Sequence, residues 1–225
     1  MKPQKIFNDL LNRMKSYPVC TIFCVDDFTD LYDAEIVRAT LARMTNENKI
    51  VRLLDGYFTI PYYIEAANKE VFPSAQEMAE KIAEKYGWSI LQAGEAALNN
   101  LGLSTQIPND LVYISTGPYR DYVYRNNLIR FKHTSQIHAL QFSKPLAMVI
   151  QAIREIGKDN LTEQEFRRLC AYCEKNVKEN LIQDTKGIPS WIKKTLKNIA
   201  EVNDNEEIST VKRKGTRASI SYSRR

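Results

Sequence analysis

The chain has 225 residues, of which 44% are hydrophobic and 26% are charged. This length and composition are typical of a globular protein with a sizeable core and two domains. The longest strongly apolar stretch, PLAMVIQAI, is far shorter than the roughly 20 residues needed to cross a bilayer, so the sequence predicts no membrane partner.

The net charge of +5 is concentrated at the C-terminus. Residues 209–225 hold six cations and no acid, so the other 208 residues carry a net charge of −1. This tail is polar and has no core pattern, which predicts a disordered basic arm or a solvated end. The N-terminus is amphipathic and lacks the continuous apolar segment of a secretory leader, which favours a cytoplasmic protein.

The pattern of the N-terminal region predicts three helices followed by a hairpin. The first helix has an apolar stripe of Ile6, Phe7, Leu10, Leu11 and Met14. A second helical pattern begins near Asp26, and a third runs from Asp33, whose carboxylate is expected to cap it, to about Asn46. In the third helix Val37, Leu41 and Met44 share one face, because they fall at i, i+4 and i+7.

The hairpin comes directly after these helices. Asp55-Gly56 joins two β-prone runs, and this dipeptide is a strong two-residue turn signal because both residues tolerate positive φ. The succession predicts a winged helix-turn-helix that binds double-stranded DNA. The alternative is ordinary core packing with an ordinary edge ribbon. The predicted DNA-binding residues are Tyr32, Glu35, Arg38, Arg43, Lys49 and Arg52.

A second group of elements follows Pro73. Ser74 and Glu77 form a capping box for a helix through Tyr86, and a shorter helix over 94–101 ends at Gly102. Residues 111–133 alternate in the β manner, with turn signals at Thr116-Gly117-Pro118 and Asn126-Asn127, which predicts an antiparallel meander.

The predicted ribbon is basic and aromatic. Its cations alternate with four aromatic residues, Tyr119, Tyr122, Tyr124 and Phe131. This pattern predicts a surface that binds nucleic acid or an acidic protein. The alternative is a half-buried sheet with its cations in water. The cations named for this second basic surface are Arg120, Arg125, Arg130 and Lys132.

The remaining chain is predicted to be helical over 144–200. It includes a Thr162–Glu165 capping box and a basic amphipathic helix, which either packs on the domain or lies on a membrane. The cysteines have spacings that resemble a zinc site, but Cys170 and Cys173 fall on an apolar helix face, and Cys20 and Cys24 are expected on one side of a strand. No metal is therefore predicted.

Three segments carry a resemblance to a known family. VRATLARMTNENKIVRLLDGYFTIP, SILQAGEAALNNLGLSTQIP and VYISTGPYRDYVYRNNLIRFKHT resemble the AbiEi-type antitoxins of bacterial abortive-infection systems. The resemblance implies a transcriptional repressor of its own toxin-antitoxin operon, which counteracts a nucleotidyltransferase-like toxin without needing to bind it. It places the recognition helix at 33–44 and the wing at 49–60, with Asp26, Asp27 and Glu35 as departures towards acid.

The sequence thus predicts an α+β protein. Its expected parts are a winged helix-turn-helix over 1–70, an α+β domain with the meander and C-terminal helices over 71–205, and the tail over 206–225. No phosphate loop, metal-spaced histidine pair or nucleophile elbow appears, so neither catalysis nor a cofactor is expected. The alternatives are an RNA-binding or protein-interaction module working through 119–133, and a nuclease or transferase using Asp26 and Asp27. The oligomeric state is left open.

Overall fold

The computed structural model describes residues 3–106, 110–134, 142–178, 181 and 187–203. Within these ranges the chain is an α+β protein with seven helices and three small β-sheets. It divides into two compact units. The first comprises the described residues up to Trp88 together with Asp121–Ile129, and the second comprises Ser89–Arg120 and the described residues from Arg130 onward.

The first unit opens with helix α1 and contains two further helices and two hairpins. Its elements are α1 (Pro3–Lys15), a 3₁₀ turn (Val25–Phe28), α2 (Ala34–Asn46), β1 (Val51–Leu54), β2 (Tyr57–Thr59), β3 (Tyr62–Ile64), β4 (Lys69–Val71) and α3 (Ala75–Tyr86).

The apolar faces predicted for α1 and α2 meet in the core of this unit. The core consists of Ile6, Phe7, Leu10, Met14, Phe23, Phe28, Val37, Leu41, Met44, Ile50 and Phe58. Burial of a large apolar side chain contributes about 1.5–3 kcal/mol, so these contacts hold the helices against the β1–β2 ribbon. The predicted bounds and inward face of α2 are confirmed.

Two local expectations in this region are wrong. The helix expected near Asp26 is a four-residue 3₁₀ turn, anchored in the core by one large apolar residue, Phe28. Asp33 does stand at the N-cap of α2, but its carboxylate makes no capping hydrogen bond.

Both hairpins of the first unit are antiparallel. The Asp55-Gly56 turn between β1 and β2 is confirmed, with Gly56 at a φ of +77° that suits glycine. Phe23 adds a single bridge to Phe58, on β2. The β3–β4 hairpin was not predicted from the sequence.

The second unit contains most of a four-stranded sheet. The strands are β5 (Ile90–Ala93), β6 (Asp110–Ser115), β7 (Arg120–Tyr124) and β8 (Asn127–His133), in the spatial order β5-β6-β8-β7. The predicted meander order is therefore wrong, because β8 and not β7 is the neighbour of β6. Just after β8, Thr134 N donates to the carbonyl of Ser115, the last residue of β6, at 2.9 Å. The tight turn after β7 is Arg125-Asn126, one residue before the predicted position.

Helices α4 (Glu95–Asn100), α5 (Lys144–Ile156), α6 (Glu163–Asn176) and α7 (190–203) complete the second unit. Both predicted capping boxes are present: Ser74 with Glu77 on α3 and Thr162 with Glu165 on α6. Ile192, Leu196 and Ile199 of α7 are fully buried in the core of this unit, so this helix packs on the protein.

The predicted tail over 206–225 lies outside the described residues. The predicted domain boundary at residue 70 stays a prediction. By its contacts, the first compact unit continues through α3 to Trp88 and includes the turn between β7 and β8.

Candidate nucleic-acid interface

Helix α2 presents an exposed face opposite its core residues. Glu35, Ala39 and Ala42 are spaced i, i+4 and i+7 along this face, and all three are exposed. Arg38 is exposed beside them and, within the described residues, makes no side-chain hydrogen bond or ion pair. The two alanines leave room for close approach of another molecule, and Arg38 supplies an available cation.

Arg43 lies on the same helix but is held within the unit. Its Nε donates to Glu47 Oε1 at 2.7 Å, and a terminal nitrogen donates to Gln4 Oε1 at 2.9 Å. The guanidinium carbon lies 4.9 Å from the centre of the Phe7 ring, within range of a cation–π interaction. Arg43 therefore fastens α2 to α1, although 42% of its side chain remains exposed.

The β1–β2 ribbon carries the other two predicted cations. Lys49 is exposed just before β1 and has no ion pair with a described residue. Arg52 is exposed on β1, with a terminal nitrogen 3.5 Å from Asp55 Oδ1 and its guanidinium carbon 5.8 Å from the Phe58 ring centre. An exposed pair at this distance contributes little to stability, so Arg52 is free to exchange Asp55 for an external anion.

Tyr32 has a structural contact. Its hydroxyl donates to Asp9 Oδ2 at 2.5 Å, and this hydrogen bond, with a contribution from burial, raises the pKa of Tyr32. Nearby, Arg13 donates to both carboxylate oxygens of Asp30 at 2.7 Å, which lowers the pKa of Asp30. Both contacts join α1 to the segment before α2 and fix the start of that helix.

The acids considered as catalytic candidates have different environments. Asp27 accepts from Cys24 N at 2.7 Å and from Lys81 Nζ at 2.8 Å, so it caps the 3₁₀ turn and joins it to α3. Burial lowers the pKa of Lys81, but the hydrogen bond and charge of Asp27 outweigh this effect and raise it overall. Asp26 is exposed. Within the described residues, no group of three or more histidine, cysteine or acidic side chains is arranged to hold a metal ion.

The predicted second basic surface is divided between the units. Arg125 belongs to the first unit, where its guanidinium carbon lies 4.0 Å from the ring centre of Phe72. Arg120, Arg130 and Lys132 belong to the second, where Arg130 lies 4.0 Å from Asp110. The structure therefore does not bring all four together in one compact unit.

The aromatic residues of this ribbon are mostly unavailable for stacking. Tyr124 and Phe131 are buried, and Tyr122 is half-buried. Burial raises the pKa of Tyr124, whose hydroxyl donates to Pro73 O at 2.8 Å. Tyr119 is 74% exposed. This arrangement fits a half-buried sheet better than a platform for successive bases.

Sequence reasoning missed the residues that hold the candidate interface in place. Gln4, Phe7 and Asp9 of α1 contact Arg43 or Tyr32 across 23 to 39 positions in the chain. No local pattern identifies such pairs. The amphipathic stripe of α1 was the available signal, and it indicated only that the helix packs.

The four cysteines are free thiols. Cys170 and Cys173 are buried on α6 as predicted, and burial raises the pKa of Cys173 to about 12. The prediction of a strand that carries Cys20 and Cys24 is wrong. In this segment only Phe23 forms a β-bridge, and Cys20 has a φ of +64°, which an extended strand does not allow.

None of the helices in the described part of the chain has the length and apolar character required to cross a membrane. The described residues define an α+β protein whose first unit has an exposed face on α2 and exposed cations, Lys49 and Arg52, at the β1–β2 ribbon. A family model described as a family of unknown function, DUF6088, matches residues 9–181. The chain belongs to this family. The comparison with curated proteins gives no match.

Proposed function

We propose that the first unit binds duplex DNA as a winged helix-turn-helix, with α2 in the major groove and the β1–β2 ribbon against the backbone. Support comes from the order of elements: α1, the single bridge at Phe23, the 3₁₀ turn, α2 and the ribbon. In a winged helix a short strand between the first two helices pairs with the ribbon in the same way. Here the 3₁₀ turn takes the place of the second helix.

The observation that carries the proposal is the combination of Arg38 with its neighbours. Arg38 is exposed and unpaired within the described residues, and Ala39 and Ala42 beside it are exposed and small. A recognition helix needs a close approach to the base edges and a side chain that reaches them. Arginine donating to guanine O6 and N7 is the commonest specific contact in the major groove.

The ribbon cations have a separate role in this proposal. Lys49 and Arg52 contact phosphate, which positions the protein without reading sequence. Each phosphate neutralised contributes about 0.9 to the slope of log affinity against log salt. Because Arg43 is committed to Glu47 and Gln4, few cations remain for phosphate, and we expect a shallow salt dependence.

We further propose a biological role for DNA binding. The chain represses its own operon and acts as the antitoxin of an abortive-infection system, opposing a nucleotidyltransferase-like toxin without obligatory contact. The support for this role is the sequence resemblance of the segments around 37–61, 89–108 and 112–134 to AbiEi-type antitoxins.

The test is a gel shift with the full chain on the DNA upstream of its own gene. We expect a preference for this DNA over random duplex at moderate salt, and loss of that preference in Arg38→Ala. Arg167→Ala on α6 is the matched control, because Arg167 is an exposed helical arginine of the second unit. Equal binding to both duplexes would refute the DNA proposal. Failure to restore growth when co-expressed with a toxin encoded beside it would refute the antitoxin role.

A second candidate function is an RNA-binding or protein-interaction module that uses residues 119–133. The observation that favours it is the 74% exposure of Tyr119, which precedes Arg120 in the chain. Exposed aromatic and apolar side chains near cations are typical of contact surfaces.

A further inference from the structure

Glu35 occupies the N-terminal end of the exposed line that it forms with Ala39 and Ala42 on α2. It lies in the first turn of the helix, where a recognition helix contacts base edges, and it shares its line with Ala39 and Ala42. A carboxylate in this position repels phosphate on every DNA sequence. If the surface binds DNA, Glu35 needs a hydrogen-bond donor from the DNA to offset that repulsion.

The surroundings of Glu35 leave it free for such a donor. It is exposed, and within the described residues it has no hydrogen bond or ion pair. Arg38 follows at i+3, a spacing at which helical side chains are neighbours, yet these two residues form no ion pair. By contrast, the next acid and arginine on this surface, Glu47 and Arg43, are bonded to each other at 2.7 Å.

The chemistry of the major groove limits what Glu35 can accept from. In the major groove only cytosine N4 and adenine N6 donate hydrogen bonds, and a glutamate typically accepts from cytosine N4. Adenine also presents its N7 acceptor beside N6, which faces a carboxylate unfavourably and suits an amide. Arg38, one turn away, matches the acceptors of guanine.

On the basis of the proposed DNA-binding function, we propose that Glu35 is a specificity-determining residue that accepts a hydrogen bond from cytosine N4. With Arg38 on guanine, it selects a DNA site rich in G·C. The carboxylate lowers the affinity for DNA in general but increases the discrimination between sites. At a site without cytosine, the charge of Glu35 is desolvated in the complex and has no hydrogen-bond donor.

The experiment is selection of binding sites from a random duplex library with the full chain, repeated with Glu35→Ala and Glu35→Gln. The readout is the ratio of affinities for sites that differ at one position, so a uniform effect of charge cancels. We expect the wild type to prefer cytosine at one position by roughly tenfold. Glu35→Ala loses this preference, and Glu35→Gln shifts it to adenine, since glutamine pairs with adenine N6 and N7.

Glu70→Gln is the charge-matched control, because Glu70 is an exposed acid on β4 of the same unit. It leaves the selected sequence unchanged. The inference is overturned if Glu35→Ala tightens binding to all sites by one factor, with every ratio unchanged. If the wild type selects no sequence at all, the proposed function itself fails, so the two failures are distinguishable.

Discussion

The guanidinium carbon of Arg43 lies 4.9 Å from the ring centre of Phe7, so one of the two arginines of α2 is held against α1. The other, Arg38, is exposed and unpaired within the described residues. The two arginines were both predicted to contact DNA, but only the side chain of Arg43 is bonded to other described residues of its own unit. Arg43 stabilises the helix that carries the candidate interface, and Arg38 is exposed to solvent.

Arg43→Ala is expected to lower the free energy of unfolding by about 1 kcal/mol, because it removes a cation–π contact and an i,i+4 ion pair. Arg38→Ala is expected to leave stability unchanged. Chemical denaturation followed by circular dichroism measures both. Glu47→Gln, which removes only the ion pair, is expected to have a smaller effect. Equal loss in the two arginine variants would contradict the assignment.

Arg38 and Arg52 are expected to differ in their effects on DNA binding. Arg38→Ala relaxes base preference at a cost of about 1–3 kcal/mol on the preferred site. Arg52→Ala weakens binding to all sequences alike and reduces the salt slope by about 1, since it removes one phosphate contact. Fluorescence anisotropy titrations over a range of salt concentrations measure both quantities. Identical behaviour of the two variants would refute the division between helix and ribbon.

Asp27→Asn is expected to cost about 1–3 kcal/mol of stability, because Lys81 loses a charged hydrogen-bond partner in a mostly buried setting. The pKa of Lys81 is raised above its ordinary 10.5, so the contribution of this pair is complete below that pH and is lost as pH rises through the raised value. Thermal unfolding between pH 8 and pH 12 measures the effect. Asp26→Asn, at an exposed neighbour, is the control.

Alanine substitution of the same two residues addresses the nuclease alternative. If Asp26 and Asp27 performed metal-dependent chemistry, the wild type would turn over a nucleic-acid substrate. The double variant Asp26→Ala, Asp27→Ala would then lose this turnover. We expect no such turnover to be lost, because Asp27 is engaged with Lys81 and with Cys24 N.

Cys173 is expected to resist alkylation at pH 8 in the folded protein, because burial raises its pKa to about 12. Cys20, which is half-buried, should react faster with iodoacetamide. Mass spectrometry of partially labelled protein measures the order. The raised pKa also predicts that stability falls as pH rises from the ordinary thiol value of 9.0 towards about 12, since only the unfolded chain ionises there. Cys173→Ala removes this component, and rapid labelling of native Cys173 would contradict its burial.

Combined neutralisation of Arg125, Arg130 and Lys132 tests the second candidate function. If α2 is the interface, Arg125→Ala with Arg130→Ala and Lys132→Ala changes specific DNA affinity by a few-fold at most, through loss of general attraction. Binding lost in this triple variant but kept in Arg38→Ala would favour the ribbon module instead.

Elements specified by neighbouring residues were predictable from the sequence. The capping boxes at Ser74 and Thr162, the Asp55-Gly56 turn and the inward face of α2 all depend on spacings of seven residues or fewer. These signals describe local backbone preferences, and the surrounding structure agrees with them.

Elements that depend on distant partners were missed or misplaced. The order β5-β6-β8-β7 depends on which strands pair, and strand sequence alone does not encode this choice. The four-residue strand β5 and the three-residue strands β3 and β4 are too short to establish a period. For the candidate site, exposure of Arg38 followed from the helical period. The attachment of Arg43 to Gln4, 39 positions away, did not.

The discontinuity of the first unit has a consequence for synthesis of the protein. The hydroxyl of Tyr124 donates to the carbonyl of Pro73, and Tyr124 belongs with Asp121–Ile129 to that unit. A ribosome must therefore translate well past α3 before the N-terminal unit has all its parts. A truncated chain that stops at Trp88 would lack the buried side chain of Tyr124, and the nascent protein acquires its complete helix-bearing unit only after Ile129 has left the exit tunnel.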